Sequence, residues 1–308
     1  MNKKALVVGG IAFDILFPLR GDIRNEIPLE GGKLRSVNMT FLVHKSQYYY
    51  GGTAGNIAYG LGVLGFKPLM FSAVGEDFNR DYREHLEKHG VICKPIVGPG
   101  GSETAKCFQI SDDLHQQITI FQANFYGDRL DDMSLYETIS KKELKEVGVA
   151  IFSPGNNLST LNNTLEFRRV NKDAIVIMDP GMNVTGFTKE DITECISHSN
   201  ILISNDIEIL RIEKVHNFSI KDLLSIGLQY VVETKGERGS TLYSTKAKVE
   251  VPIVKPKKVV ETTGAGDAYR AGMIAGLLEG QDIKTACKLG AKVASKCVEE
   301  YSGQSYKL

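Results

Sequence analysis

The chain has 308 residues, 42% of them hydrophobic and 24% charged, with 37 Lys+Arg against 37 Asp+Glu. That composition excludes a disordered chain, and its charge balance excludes the basic field of a nucleic-acid binder or an anionic-membrane binder, so small molecules are the expected partners. No apolar run approaches about 20 residues and the chain opens on a strand rather than a signal peptide, which predicts a cytoplasmic protein with no membrane contact.

The length suits one large α/β core with a small appendage, so residues 1–308 read as a single domain. The cysteines, at positions 93, 107, 195, 287 and 297, form no C-x-x-C pair. Cys287 and Cys297 fall on one predicted helix about 15 Å apart, too far to bridge, and all are expected to be reduced.

In chain order, Lys4 to Gly10 forms a short apolar strand, and Asp14 follows it just past the carboxyl end, where open α/β sheets place their ligands. Phe17 to Tyr50 lacks helical periodicity and carries strands such as Met39 to Val43, the pattern of a small β-sheet outside the core. Gly51-Gly52-Thr-Ala-Gly55-Asn56 then opens a helix that runs to Gly65. The glycine pair lets a ligand approach the backbone, and Asn56 offers a donor and an acceptor to hydroxyls. Gly60, Gly62 and Gly65 match G-x-G-x-x-G but lie in the body of that helix, so they are no dinucleotide fingerprint.

Leu69 to Val74 reads as a strand and Phe78 to Lys88 as a helix. Thr104 to Ile110 and Gln117 to Gln122 resemble a hairpin around Asp112-Asp113, and this insertion is expected to pair with the first. Residues of about 15–50 and 103–125 would thus form one lid sheet. His85 and His89 lie on a charged helix face, and none of the 6 histidines forms an H-E-x-x-H pair, so they read as solvated.

From Val149 onward strands and helices alternate: Val149 to Ser153, Ala174 to Met178, Ile201 to Ser204 and Gln229 to Glu233 are the strands. The pattern predicts a doubly wound, mostly parallel sheet flanked by helices. Asp179-Pro-Gly181, Asn205-Asp-Ile-Glu208 and Thr234-Lys-Gly236-Glu-Arg-Gly239 stand at strand ends. Asn205 and Glu208, one turn apart, suit either a Mg²⁺ hydration shell and phosphates or a plain helix cap. Thr234, Gly236 and Gly239 suit a nucleotide or an ordinary hairpin turn.

The stretch from Glu261 to Met273 carries the sharpest chemistry. A helix begins within Gly264-Ala265-Gly266, where backbone N–H groups and the positive dipole end form an anion hole, and no Walker loop exists to compete for that role. Asp267 beside it would repel a bound anion, yet it suits a base that takes the proton from a hydroxyl attacking phosphate. A capped helix N-terminus accounts for the same four residues taken alone.

Asp14, Gly51-Gly52…Asn56, Asn205-x-x-Glu208, Thr234-Lys-Gly…Gly239 and Thr263-Gly-Ala-Gly-Asp267 occur in the order found in the ribokinase-like (PfkB) family of carbohydrate and nucleoside kinases, which the chain resembles over nearly its whole length. The resemblance implies a ribokinase-like fold with a β-sheet lid. It casts Asp267 as catalytic base, Gly264, Ala265 and Gly266 as anion hole, and Asp14, Gly51, Gly52 and Asn56 as the grip on substrate hydroxyls. Asn205 and Glu208 would position Mg²⁺, Glu208 through water, and Thr234, Gly236 and Gly239 would line the ATP site.

Asp267-Ala-Tyr-Arg-Ala-Gly272 and the lid around Lys106 and Gln117 to Phe121 look most like prokaryotic nucleoside kinases. Tyr48, Tyr49, Tyr50, Phe121, Phe125 and Tyr126 offer faces on which a base could stack. The implied activity is ATP- and Mg²⁺-dependent phosphorylation of a nucleoside 5′-hydroxyl, against a ribokinase- or fructokinase-type sugar kinase or a silent nucleoside-binding protein. Glu261 stands where the family has Asp, which bears on any monovalent cation, and exposed lid edges suggest a homodimer.

Overall fold

Buried apolar strands separated by helices assemble here as one nine-stranded sheet, in the order Lys248–Val251, Ser240–Tyr243, Tyr230–Thr234, Ile201–Asn205, Ile175–Met178, Val147–Phe152, Lys4–Val8, Leu69–Phe71 and Ile92–Cys93. From Tyr230–Thr234 to Ile92–Cys93 all pairings are parallel, and the remaining two strands extend one edge antiparallel. This is a computed structural model, and it describes residues 4–27, 29–30, 33–34, 39–114, 116–123 and 131–308.

The strand alternation shows why the sheet is doubly covered. Ala5 and Val7 join one buried cluster while Leu6 and Val8 join another on the opposite face. Val147–Phe152 is buried at every position, as a strand between two helical layers must be. The first cluster includes the helices Thr53–Val63, Ala265–Leu278 and Ile283–Cys297, whose small residues let them lie close together. Among the described residues no helix is long and apolar enough to cross a membrane.

A separate four-stranded sheet has the order Gln117–Gln122, Ala105–Ser111, Ala12–Pro18 and Gln47–Gly51. The two insertions do pair, and they pair parallel through Ala105–Ser111 and Ala12–Pro18, while the outer pairings are antiparallel. Two expectations are corrected. The sheet takes in residues from Ala12 rather than from about 15, so Asp14, just past the first strand, is itself a lid-strand residue. Met39 to Val43 forms no strand; pairing resumes only at Gln47. Phe125 and Tyr126 lie outside the described residues.

The solvated reading of His85 is also corrected. Its ring stacks on Tyr59 with centroids 5.4 Å apart and packs against Tyr50 and His89, because chain segments distant in sequence cover that helix face. Tyr50 stacks on Tyr82 at 4.6 Å. It therefore fills core behind the lid rather than offering a face to a ligand.

Candidate active site

A cleft of about 1460 Å³ runs between the lid and the parallel strands' carboxyl ends. Its lining includes Gly52, Thr53, Phe121, Asn205, Glu208, Thr234, Gly236, Gly239, Ala265, Gly266 and Asp267. Of the site candidates in the N-terminal half, Gly52 lines it, whereas Asp14, Gly51 and Asn56 do not. Of the described aromatic candidates, only Phe121 lines it.

Asp267 enters the first turn of the Ala265–Leu278 helix, whose cap is Gly264 in the left-handed region at φ 81° with no side-chain bond. A glycine there leaves the first-turn N–H groups of Gly266 and Asp267 for a ligand. Asp267 Oδ2 accepts a 2.8 Å hydrogen bond from Asn56 Nδ2, across 211 positions of sequence. Burial pushes the Asp267 carboxyl up to about 6, although Arg270 and the Asn56 bond pull it down. Asp14 is pushed up to about 7, first by burial and then by the negative charge of Asp267. The two carboxyls therefore share one electrostatic neighbourhood.

Asn56 is 5% exposed, and both ends of its amide are committed within the protein: Nδ2 to Asp267 and Oδ1 to Gln304 Nε2 at 3.0 Å. It holds the carboxylate instead of presenting free groups to hydroxyls. Gly51 is buried, and a Cβ there would meet Asp14 Oδ2 at 2.0 Å. Gly52, at φ 81°, crosses so close to residues 10–12 that a Cβ would lie 2.5 Å from the Ala12 nitrogen. Both glycines are required by the protein's own packing, with Gly52 alone of the pair reaching the cleft.

Asn205 and Glu208 form a reciprocal capping box: Asn205 Oδ1 accepts from the Glu208 N–H and Glu208 Oε2 from the Asn205 N–H, each at 2.8 Å. The cap reading is met, and both residues also line the cleft. Glu208 is 5% exposed, and burial followed by the charge of Asp179 raises its pKa. Lys235 N donates to Gly239 O at 2.8 Å, so residues 234–239 form a hairpin turn that also walls the cleft. Glu261 Oε1 accepts from Thr262 N, Thr263 N and Thr263 Oγ1, turning that oxygen into its own loop.

Asp179 was among the strand-end residues read as able to serve a site, but Arg270 was given no role there. Arg270 Nε and Nη2 donate to Asp179 Oδ2 at 2.6 Å and Oδ1 at 2.8 Å, and Nη1 donates to Gly266 O at 3.0 Å. Burial alone would lower the Arg270 pKa, but Asp179, Asp267 and Glu208 more than offset it and hold the guanidinium charged. An arginine within the small and apolar run Ala268 to Met273 was the available signal, because a buried guanidinium needs a partner.

The chain matches the family described as pfkB family carbohydrate kinase over residues 26–307. It is 30% identical to a nucleoside kinase of Methanocaldococcus jannaschii over 298 residues, 96% of this chain and 91% of that protein. The solved nucleoside kinase of that organism, an archaeal member of the ribokinase family, superposes with a TM-score of 0.81 at 27% identity, covering 99% of this chain and 94% of the other. A Burkholderia thailandensis nucleoside kinase in complex with ADP-inosine gives a TM-score of 0.82 at 25% identity, covering 99% and 92%. With its cleft, its helix-borne Asp267 and its lid, this chain belongs to the pfkB family of carbohydrate kinases.

Proposed function

We propose that the protein transfers the γ-phosphoryl group of ATP to the 5′-hydroxyl of a nucleoside, with Mg²⁺ as cofactor. The observation that carries this reading is Asp267, seated at a helix N-terminus in the cleft and held by Asn56 from the opposite end of the chain. The 30% identity to a nucleoside kinase supports the acceptor class. So does the cleft of about 1460 Å³, larger than the ~300–1,000 Å³ of a single small-ligand site and so able to hold two substrates.

In this mechanism Asp14 and the backbone at Gly52 hold the ribose hydroxyls. Asp267 accepts the proton of the 5′-hydroxyl as the hydroxyl oxygen attacks the γ-phosphorus and ADP leaves, and the N–H groups of Gly266 and Asp267 stabilise the charge in flight. A carboxyl held at about 6 is largely ionised at neutral pH yet basic enough to take the proton. Thr234, Gly236 and Gly239 face the nucleotide. Closure of the lid excludes water, which would otherwise receive the phosphoryl group.

The donor set fits Mg²⁺ held mainly through water and phosphate. Glu208 Oε2 is taken by the Asn205 N–H, which leaves Oε1 for the ion's hydration shell, and among the described residues no cluster of three ligand side chains exists. When bound, Mg²⁺ would supply charge neutralisation to the phosphates, with Glu208 holding its hydration shell.

The test is turnover with a panel of purine and pyrimidine nucleosides against ribose, fructose and sugar phosphates. Phosphorylation of free sugars alone would sink the nucleoside reading and favour a ribokinase- or fructokinase-type enzyme. The edges Gln117–Gln122 and Gln47–Gly51 support a homodimer through the lid, which sedimentation as a monomer at micromolar concentration would remove.

A further inference from the structure

Four hydrogen bonds lead from the lid to the base. Tyr82 Oη donates to the Gly51 carbonyl at 2.6 Å, and Gln304 Nε2 donates to Tyr82 Oη at 2.5 Å and to Asn56 Oδ1 at 3.0 Å. Asn56 Nδ2 completes the run to Asp267 Oδ2 at 2.8 Å. Tyr82 is 0% exposed and Asn56 and Gln304 each 5%, so solvent does not replace a lost partner.

The direction of every bond follows from one atom. A backbone carbonyl only accepts, so Tyr82 gives its single hydrogen to Gly51 and must accept from Gln304. Gln304 therefore presents its nitrogen, and that same nitrogen meets Asn56, whose oxygen must point toward it. Asn56 is left with N–H against Asp267. Gly51 ends the lid strand Gln47–Gly51, so a lid atom sets which end of the Asn56 amide meets the carboxylate. On the other side, Gln304 Oε1 and His85 Nε2 are both buried with no partner among the described residues. Burial pulls the His85 imidazole down to about 4, so it is neutral, and an N–H on Nε2 would hold Gln304 the same way round.

We propose that Gln304 is a positioning residue for phosphoryl transfer: it keeps the Asn56 N–H, rather than the Asn56 oxygen, against Asp267, and ties the seating of the base to the lid strand ending at Gly51. This rests on the kinase reading above. An N–H against a carboxylate favours the ionised form, whereas a turned amide oxygen favours the protonated one. The other groups facing Asp267 are Arg270 on its own helix, Asp179, Glu208, Asp14 on the lid, Cys297 and Tyr306. None of them is altered by a change at 304, so the acid limb of the rate profile reports the amide.

The experiment compares pH profiles of kcat and kcat/KM for wild type, Gln304→Met and Gln304→Glu. Methionine fills the space without either bond, while an ionised glutamate only accepts and draws the Asn56 N–H away from Asp267. The expected result is a roughly 10- to 100-fold loss in kcat with KM for ATP little changed, since the base is misplaced and the nucleotide site is not. The acid limb moves to higher pH, further for Gln304→Glu than for Gln304→Met. A folded variant that keeps the wild-type acid limb overturns the proposal, whatever happens to kcat. Should both variants fail to fold, Tyr82→Phe decides by the same limb, because it releases Gln304 to turn without adding volume. A wild-type enzyme inactive on every nucleoside and sugar would instead remove the kinase reading itself.

Discussion

A middle strand of the large sheet and the outer strand of the lid are treated oppositely by solvent. Val147–Phe152 is buried at all positions, whereas Gln117–Gln122 is exposed at every position but Ile118. The central sheet spends its apolar residues on packing and so holds Asp267, Glu208 and Thr234 in fixed relation at its carboxyl edge. The outer lid strand has little buried area to lose when it shifts, which suits a part that carries Phe121 over a ligand. On the proposed reading, chemistry belongs to the central sheet and capture to the lid.

The largest effect should come from Asp267→Asn, which removes the base while keeping its shape. We expect a 10²- to 10⁴-fold fall in kcat, about the worth of a general base, with nucleoside binding kept in calorimetry. Loss of binding with unchanged kcat would place Asp267 on the capture side instead. Next, Asp179→Ala leaves Arg270 charged and buried without its partner, at a cost of about 3–5 kcal/mol in denaturant unfolding. In the scaffold, Ile151→Ala should cost about 2–5 kcal/mol, because its surroundings are packed on every side.

A smaller effect concerns pH. The folded state raises the Asp14 pKa to about 7, so between the ordinary carboxylate value near 4 and about 7 the folded chain binds more protons than the unfolded one. Stability from this group therefore falls as pH rises through that window. Asp14→Asn should melt at a higher temperature than wild type at pH 8, with the advantage shrinking toward pH 4; a constant difference would mean that Asp14 is not buried near Asp267. The smallest change is Ile120→Ala, at a site 63% exposed on the lid, which should alter stability by no more than about 0.5 kcal/mol. A cost equal to that of Ile151→Ala would erase the contrast between the sheets.

Local signals were the ones that could be read in advance. The Gly264 to Asp267 turn, the Gly51-Gly52 step and the alternation of strands after Val149 each act within a few residues, so their chemistry stands written in the chain. Asp14 was left just outside the lid because only three residues separate Val8 from the next strand, too short a gap to mark a change of sheet. His85 looked solvated because its own helix is charged, while the rings that cover it come from Tyr50 and Tyr59. Arg270 with Asp179 and Gln304 with Asn56 join residues 91 and 248 positions apart, and no spacing rule reaches that far.

The hydrogen-bonded run through Gln304 also has a meaning for birth. Residues 51, 56 and 82 leave the ribosome early, the carboxylate at 267 far later, and the side chain at 304 last of all. The anchor of Asn56 is therefore completed only when the segment carrying residue 304 docks against it, across 248 positions of sequence.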